Sequence, residues 1–382
     1  MITRYIRNII FASLAIIAAA SCKDDDGTTL PPMDGTLEIE GAVAYINART
    51  DSRKLTLKPN GVTHPDGNEI GYCWKVVPGM SSYDTTRFEN GLNSIGEPSD
   101  GTFKYELKDS IGTYTIYCYA FSNGYATKSA SQYTTIVRGG VQLNEDDPQV
   151  SITNTNILEN GTPLAGTDYY YVSDGSRDWI ASNMYEEGGI AYLGYDALSD
   201  VLGRFYSYDE AVAMCKALPR NGGEEWRLPT DEDWVNVVKA YTTDATGDFS
   251  ANVHEDIYWD IKKNGKPSLS ARLIANAEFN GSVLWEYWPA VGEITNLSGL
   301  AIIPVGYANL GVTPELASKS AYPNAIFEGE FEVAAFWTAD TVQDNTDMAY
   351  YRFINTQDPF FMIGKGYKVT FGASVRCVRD SN

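Results

Sequence analysis

The chain has 382 residues, 43% of them hydrophobic and 21% charged, with a formal net charge of −21. That balance is globular rather than disordered. Its sign repels nucleic-acid phosphates and acidic polymers, so nucleic acid is not an expected partner and a neutral ligand is the natural one. Two histidines (His64 and His254) are too few for a histidine-rich metal site. No C-x-x-C, phosphate loop or nucleophile–base motif occurs, so neither metal nor cofactor is expected.

In chain order, residues 1–21 read as a secretory signal. Arg4 and Arg7 supply the positive end, Ile9–Ala20 the apolar run, and Ala19-Ala20-Ser21 a small-residue cleavage site. A run of twelve residues falls short of the roughly 20 that a spanning helix needs. Cys22 follows directly and resembles the lipidated cysteine of bacterial lipoproteins, with Ala19 where that motif usually carries Leu. Lys23-Asp24-Asp25-Asp26 resembles the acidic export signal of Bacteroidota-type lipoproteins. Together these imply an outer-membrane protein, lipid-anchored at Cys22 and facing the cell exterior, with residues 22–35 as an acidic tether.

Residues 36–138 read as about seven short strands, among them Leu37–Ile46, Lys54–Lys58, Ile70–Val77, Phe103–Leu107, Thr113–Ala120 and Gln132–Val137, and predict an antiparallel all-β sandwich. Ile70, Tyr72, Trp74 and Val76 alternate onto one face, as do Tyr114, Ile116, Cys118 and Ala120. The pair resembles the C and F strands of immunoglobulin-like and PKD-like modules, with Trp74 as the core tryptophan. Cys73 has the opposite parity to Trp74 and Cys118 the inward parity of Tyr114, which argues for two free thiols rather than a bridge.

Residues 139–150, with Gly139-Gly140 and the acidic stretch before Pro148, read as a linker. Beyond it, Ser207-Tyr208-Asp209-Glu210 fits a capping box ahead of a helix with Ala211, Cys215 and Leu218 on one stripe. Thr230 caps a second helix whose apolar face is Trp234, Val237, Val238 and Tyr241. Strands and glycine-rich loops return after residue 280, ending with Ala373, Val375 and Cys377 alternating inward. Residues 151–382 therefore predict an α+β domain.

Ordered strings in that domain resemble the FISUMP (Fib_succ_major) family of bacterial surface proteins. They are Trp179–Met184, Gly203–Tyr206, Asp209–Leu218, Trp226–Asp231 with Trp234, Leu300–Tyr307, Phe336–Thr338 and Ser374–Asp380, running from about residue 170 to the end. The segments Thr242–Lys266 and Trp285–Trp288 do not fit the family pattern. The resemblance implies a C-type-lectin-like or formylglycine-generating-enzyme-like fold, in which a disulfide ties the first helix to the last strand; here that is Cys215–Cys377. The fold class is thus an all-β immunoglobulin-like sandwich followed by an α+β C-type-lectin-like domain.

The calcium-site strings of true C-type lectins are missing, and adjacent acids such as Glu224-Glu225 read as solvated turns rather than a glycosidase pair. Catalysis is not expected. What remains is aromatic richness in loops: Trp285, Tyr287 and Trp288; Tyr258 and Trp259; and Phe360 and Phe361 after Asp358. Aromatic faces pack on the C–H faces of sugar rings while neighbouring polar groups take the hydroxyls; Asp358, Gln357, Asn355 and Glu286 could serve. Trp179, Trp226, Trp234 and Trp337 are assigned to packing. The reading is a non-catalytic surface protein that captures polysaccharide or oligosaccharide for a neighbouring outer-membrane importer. The alternative is an adhesin or structural protein that binds other proteins, which predicts that Trp285 and Trp288 are buried.

Overall fold

A computed structural model describes residues 29–79, 100–108, 112–137, 152–153, 161–242, 249–259, 269–275, 277–279, 282–285, 294–312, 325–356 and 358–381. The signal, Cys22 and the linker fall outside the described residues. The chain forms two compact units, Met1–Val137 and Arg138–Asn382. Among the described residues no helix is long and apolar enough to cross a membrane.

Among its described residues the first unit has seven strands: β1 (Asp34–Glu40), β2 (Tyr45–Asn47), β3 (Lys54–Thr63), β4 (Gly71–Pro78), β5 (Phe103–Glu106), β6 (Gly112–Phe121) and β7 (Lys128–Val137). One sheet has the order β1-β3-β5 and the other β2-β7-β6-β4. Alternation places Leu55 and Leu57 of β3 and Phe103 of β5 in one core with Trp74, Val76, Ile116 and Cys118 of the other sheet. Trp74 stacks on Phe103 at 5.6 Å, and its buried ring N–H donates to the Gly101 carbonyl at 2.9 Å.

Two expectations change here. The run Leu37–Ile46 is not one strand: it breaks at Gly41, whose φ of 84° brings its backbone so close to Thr56 that a Cβ would lie 2.2 Å from that carbonyl oxygen. The break delivers β1 and β2 to different sheets, and β2 then runs parallel to β7, whereas the other named strands of the unit pair antiparallel. The cysteine parity holds. Trp74 lies opposite Cys118 and Cys73 opposite Tyr119, so the sulfurs face opposite sides, and both thiols are free and buried. Burial pushes the Cys73 thiol up to about 12.

In the second unit, short bridging strands and one-turn helices aside, the described elements are β8 (Thr162–Pro163), β9 (Tyr170–Ser173), β10 (Arg177–Ile180), α1 (Tyr208–Ala217), α2 (Asp231–Ala240), β11 (Tyr307–Asn309), β12 (Ile326–Glu328), β13 (Val333–Val342), β14 (Asn345–Asn355), β15 (Asp358–Tyr367), β16 (Phe371–Gly372) and β17 (Val378–Asp380). Three antiparallel sheets result, in the orders β8-β9-β10-β17, β12-β11-β16 and β13-β14-β15.

Both helices start where their caps dictate. Glu210 reaches back to the Ser207 N–H at 2.8 Å, and Thr230 accepts from the Asp233 N–H at 3.1 Å while Asp233 takes the Thr230 N–H at 2.7 Å. The α1 stripe of Ala211, Cys215 and Leu218 is buried, as are Trp234, Val237 and Val238 of α2. Cys215 is bonded to Cys377, 162 residues later, which ties α1 to the residue before β17. The β13-β14-β15 sheet divides two cores. Phe336 faces one with Trp179, Trp234 and Phe361, and Trp337 faces the other with Trp226 and the disulfide. The C-terminal segment departs from simple alternation. Ala373, Val375 and Cys377 are buried, but so are Ser374 and Arg376. Ser374 bridges to Phe336 of β13 on one side, while the Met184 N–H donates to Val375 and the Ile180 N–H to Cys377 on the other, leaving no solvent face.

Candidate binding surface

The structure distributes the sequence-predicted aromatics unevenly. Ile257 and Phe361 exchange both backbone hydrogen bonds, at 2.9 and 2.8 Å, so the Tyr258-Trp259 segment lies beside the start of β15. Two of the three predicted clusters therefore meet. The side chains of Tyr258, Trp259 and Asp358, and residues Glu286, Tyr287, Trp288 and Gln357, lie outside the described residues. Asn355 and Phe360 are half-buried.

Trp285 and Phe361 are corrections. Trp285 is 2% exposed, its ring N–H donates to the Ile302 carbonyl at 3.2 Å, and it packs in the Trp234 core. Phe361 is 1% exposed in the same core. Neither ring has a face to offer a ligand. Trp179, Trp226, Trp234 and Trp337 are fully buried, as assigned.

The loop that carries Asn252–Asp256 is fixed from beneath by Arg352 of β14. Arg352 is fully buried and spends all five of its N–H donors. It holds Asp231 through two bonds of 2.5 and 2.9 Å, and donates to the carbonyls of Glu255 (2.6 Å), Phe361 (3.2 Å) and Asn252 (3.3 Å). Asp231 also accepts the His254 N–H at 2.5 Å, and its own N–H donates to Asp340 at 2.6 Å. His254 stands in the left-handed region (φ 61°), with its ring stacked on Tyr350 at 4.2 Å and Nε2 3.6 Å from Asp340. The arrangement positions a loop.

On the opposite face of the same sheet, Tyr351 and Phe353 of β14 continue a row of rings that begins on the β12-β11-β16 sheet. Tyr307, Phe371, Tyr351 and Phe353, all half-buried, follow one another with ring separations of 5.5, 4.5 and 5.6 Å and interplanar angles of 38°, 30° and 39°. Trp337 meets Phe371 and Tyr351 edge-on from below. Two glycines on β15 make room. A Cβ at Gly364 would lie 2.3 Å from the Tyr351 ring, and one at Gly366 would lie 2.6 Å from the Phe371 ring. The Tyr351 and Phe371 rings thus lie across bare backbone. At the Tyr307 end, the Tyr307 hydroxyl donates to Glu328 at 2.8 Å. Burial and that carboxylate push the Tyr307 phenol up to about 12, so it stays protonated.

Sequence reading missed this row because Tyr351 and Phe353 sit in a clean strand and look like core. The available signal was the pair Gly364-x-Gly366 in the neighbouring strand, which empties one face opposite Tyr351.

The second unit is thus a disulfide-linked, β-rich domain with Trp179, Trp226, Trp234, Trp285 and Trp337 inside and a half-buried tyrosine–phenylalanine row. Residues 152–379 match the family described as the Fibrobacter succinogenes major domain, and this chain belongs to that family. The match begins upstream of the residue-170 start read from the motifs and spans the Thr242–Lys266 and Trp285–Trp288 segments. No curated protein matches the chain.

Proposed function

We propose that the chain is a non-catalytic surface protein that binds polysaccharide through the Tyr307–Phe371–Tyr351–Phe353 row. One observation carries the reading: four contiguous half-buried rings form a row, and its two central rings, Phe371 and Tyr351, lie against a strand cleared by two glycines. A satisfied core would bury such rings fully, whereas a sugar-binding strip needs their faces. On this reading the first unit is an immunoglobulin-like spacer and the second a C-type-lectin-like head. Cys22 is the lipid anchor at the outer membrane, and the captured glycan passes to a neighbouring importer. Cell-surface protease shaving and palmitate labelling of wild type against Cys22→Ser test the anchor.

The rival reading, adhesion to another protein, is favoured by the burial of Trp285 that it predicts. Affinity electrophoresis against neutral polysaccharides separates the two. Binding should weaken at least tenfold in Tyr351→Ala/Phe353→Ala with circular dichroism unchanged. A protein retarded by no polysaccharide would abolish the carbohydrate reading.

A further inference from the structure

The Tyr307 end of the row has a definite hydrogen-bond polarity. The phenol has a single proton and gives it to Glu328, so the phenolic oxygen is left as an acceptor. Glu328 is exposed, and a carboxylate only accepts. Gly329 follows, close enough that a Cβ there would touch Val333 at 3.0 Å and the Tyr307 ring at 3.4 Å, which seats the turn against the row. Two described lysines of β15 and the turn after it are engaged elsewhere. Lys365 has the opposite parity on β15 and lies over Tyr350, and Lys368 lies over Tyr208.

Resting on the carbohydrate reading, we infer that Glu328 and the Tyr307 oxygen form an acceptor-only subsite that selects the sugar by the donor it presents. An ammonium-bearing sugar ranks first, because it donates to the carboxylate and meets the π faces of the row as a cation. A free hydroxyl ranks second. A carboxylate or a blocked hydroxyl ranks last, because it brings only lone pairs or negative charge to Glu328.

The test uses dextran, hydroxyethylcellulose and pullulan, each beside its aminated and carboxymethylated derivative, in affinity electrophoresis at two salt concentrations. Aminated over parent over carboxymethylated is the expected order, with steps of about fivefold at low salt that shrink at high salt. Glu328→Gln should compress the order to within about twofold. Glu225→Gln, which removes the same charge from an acid paired with Arg220, should leave it intact. Binding without rank order, or an order that Glu225→Gln compresses equally, overturns the subsite while the carbohydrate reading stands. Retardation by none of the nine polymers overturns both.

Discussion

The two most deeply buried arginines of the second unit lie near one phenylalanine and are accommodated in opposite ways. Arg352 sits across the strand pair from Phe336, and Arg376 lies over the Phe336 ring at 5.7 Å. Arg352 has a carboxylate partner, Asp231, also fully buried, and uses its remaining N–H groups to hold two loop carbonyls, those of Glu255 and Asn252, and the Phe361 carbonyl of β15. Arg376 pairs with no carboxylate among the described residues. It donates to the Asn183 amide oxygen at 2.9 Å and to the carbonyls of Leu300 (2.8 Å) and Ile180 (3.2 Å). Burial without an anion pulls its pKa below the ordinary arginine range. A buried charge needs either a counter-charge or a closed set of dipoles. The first solution organises a loop, and the second joins the 180–184 segment, the Leu300 turn and the C-terminus.

The difference sets an order of sensitivity. Arg352→Met leaves the Asp231 carboxyl buried without its cation, and should cost about 3–5 kcal/mol in urea unfolding. Adding Asp231→Leu should recover part of that loss, because the stranded charge goes with it. Arg376→Met strands only neutral acceptors and should cost less, about 1–3 kcal/mol. Equal costs for the two single variants would break the comparison.

What was legible in the sequence follows the same division. The capped helices, the four packing tryptophans and the pairing of Cys215 with Cys377 rest on local signals or on strings resembling a family, and the structure has them all. The Asp231–Arg352 pair spans 121 residues, and nothing local in either strand or helix announces it. Trp285 misled because its hydrophobic neighbours come from α2 and from Leu300 and Ile302, not from its own loop. The Tyr307–Phe353 row was hidden for the converse reason. Strand alternation says which residues share a face but not whether that face is covered. The family strings mark the scaffold. Of the row, only Tyr307 falls within one of them.

A third buried charge extends the comparison to an acid and gives the smallest effect. Glu330 lies in the turn after β12, and its Oε1 is shut off from solvent. Burial pushes its carboxyl up to about 7, opposed by the Tyr192 hydroxyl. The folded chain therefore keeps a proton between the usual glutamate range and pH 7 that the unfolded chain has already released. By linkage, Glu330 disfavours folding progressively as pH rises through that window, and its neutral form is the one the fold prefers. Glu330→Gln holds the site neutral at every pH. Urea midpoints at pH 5 and pH 8 should thus differ less in the variant than in wild type, with the gain confined to the higher pH. Parallel shifts in the two proteins would mean that Glu330 ionises with water at hand, and that the Arg376 solution, dipoles in place of a counter-charge, has no acidic counterpart in this domain.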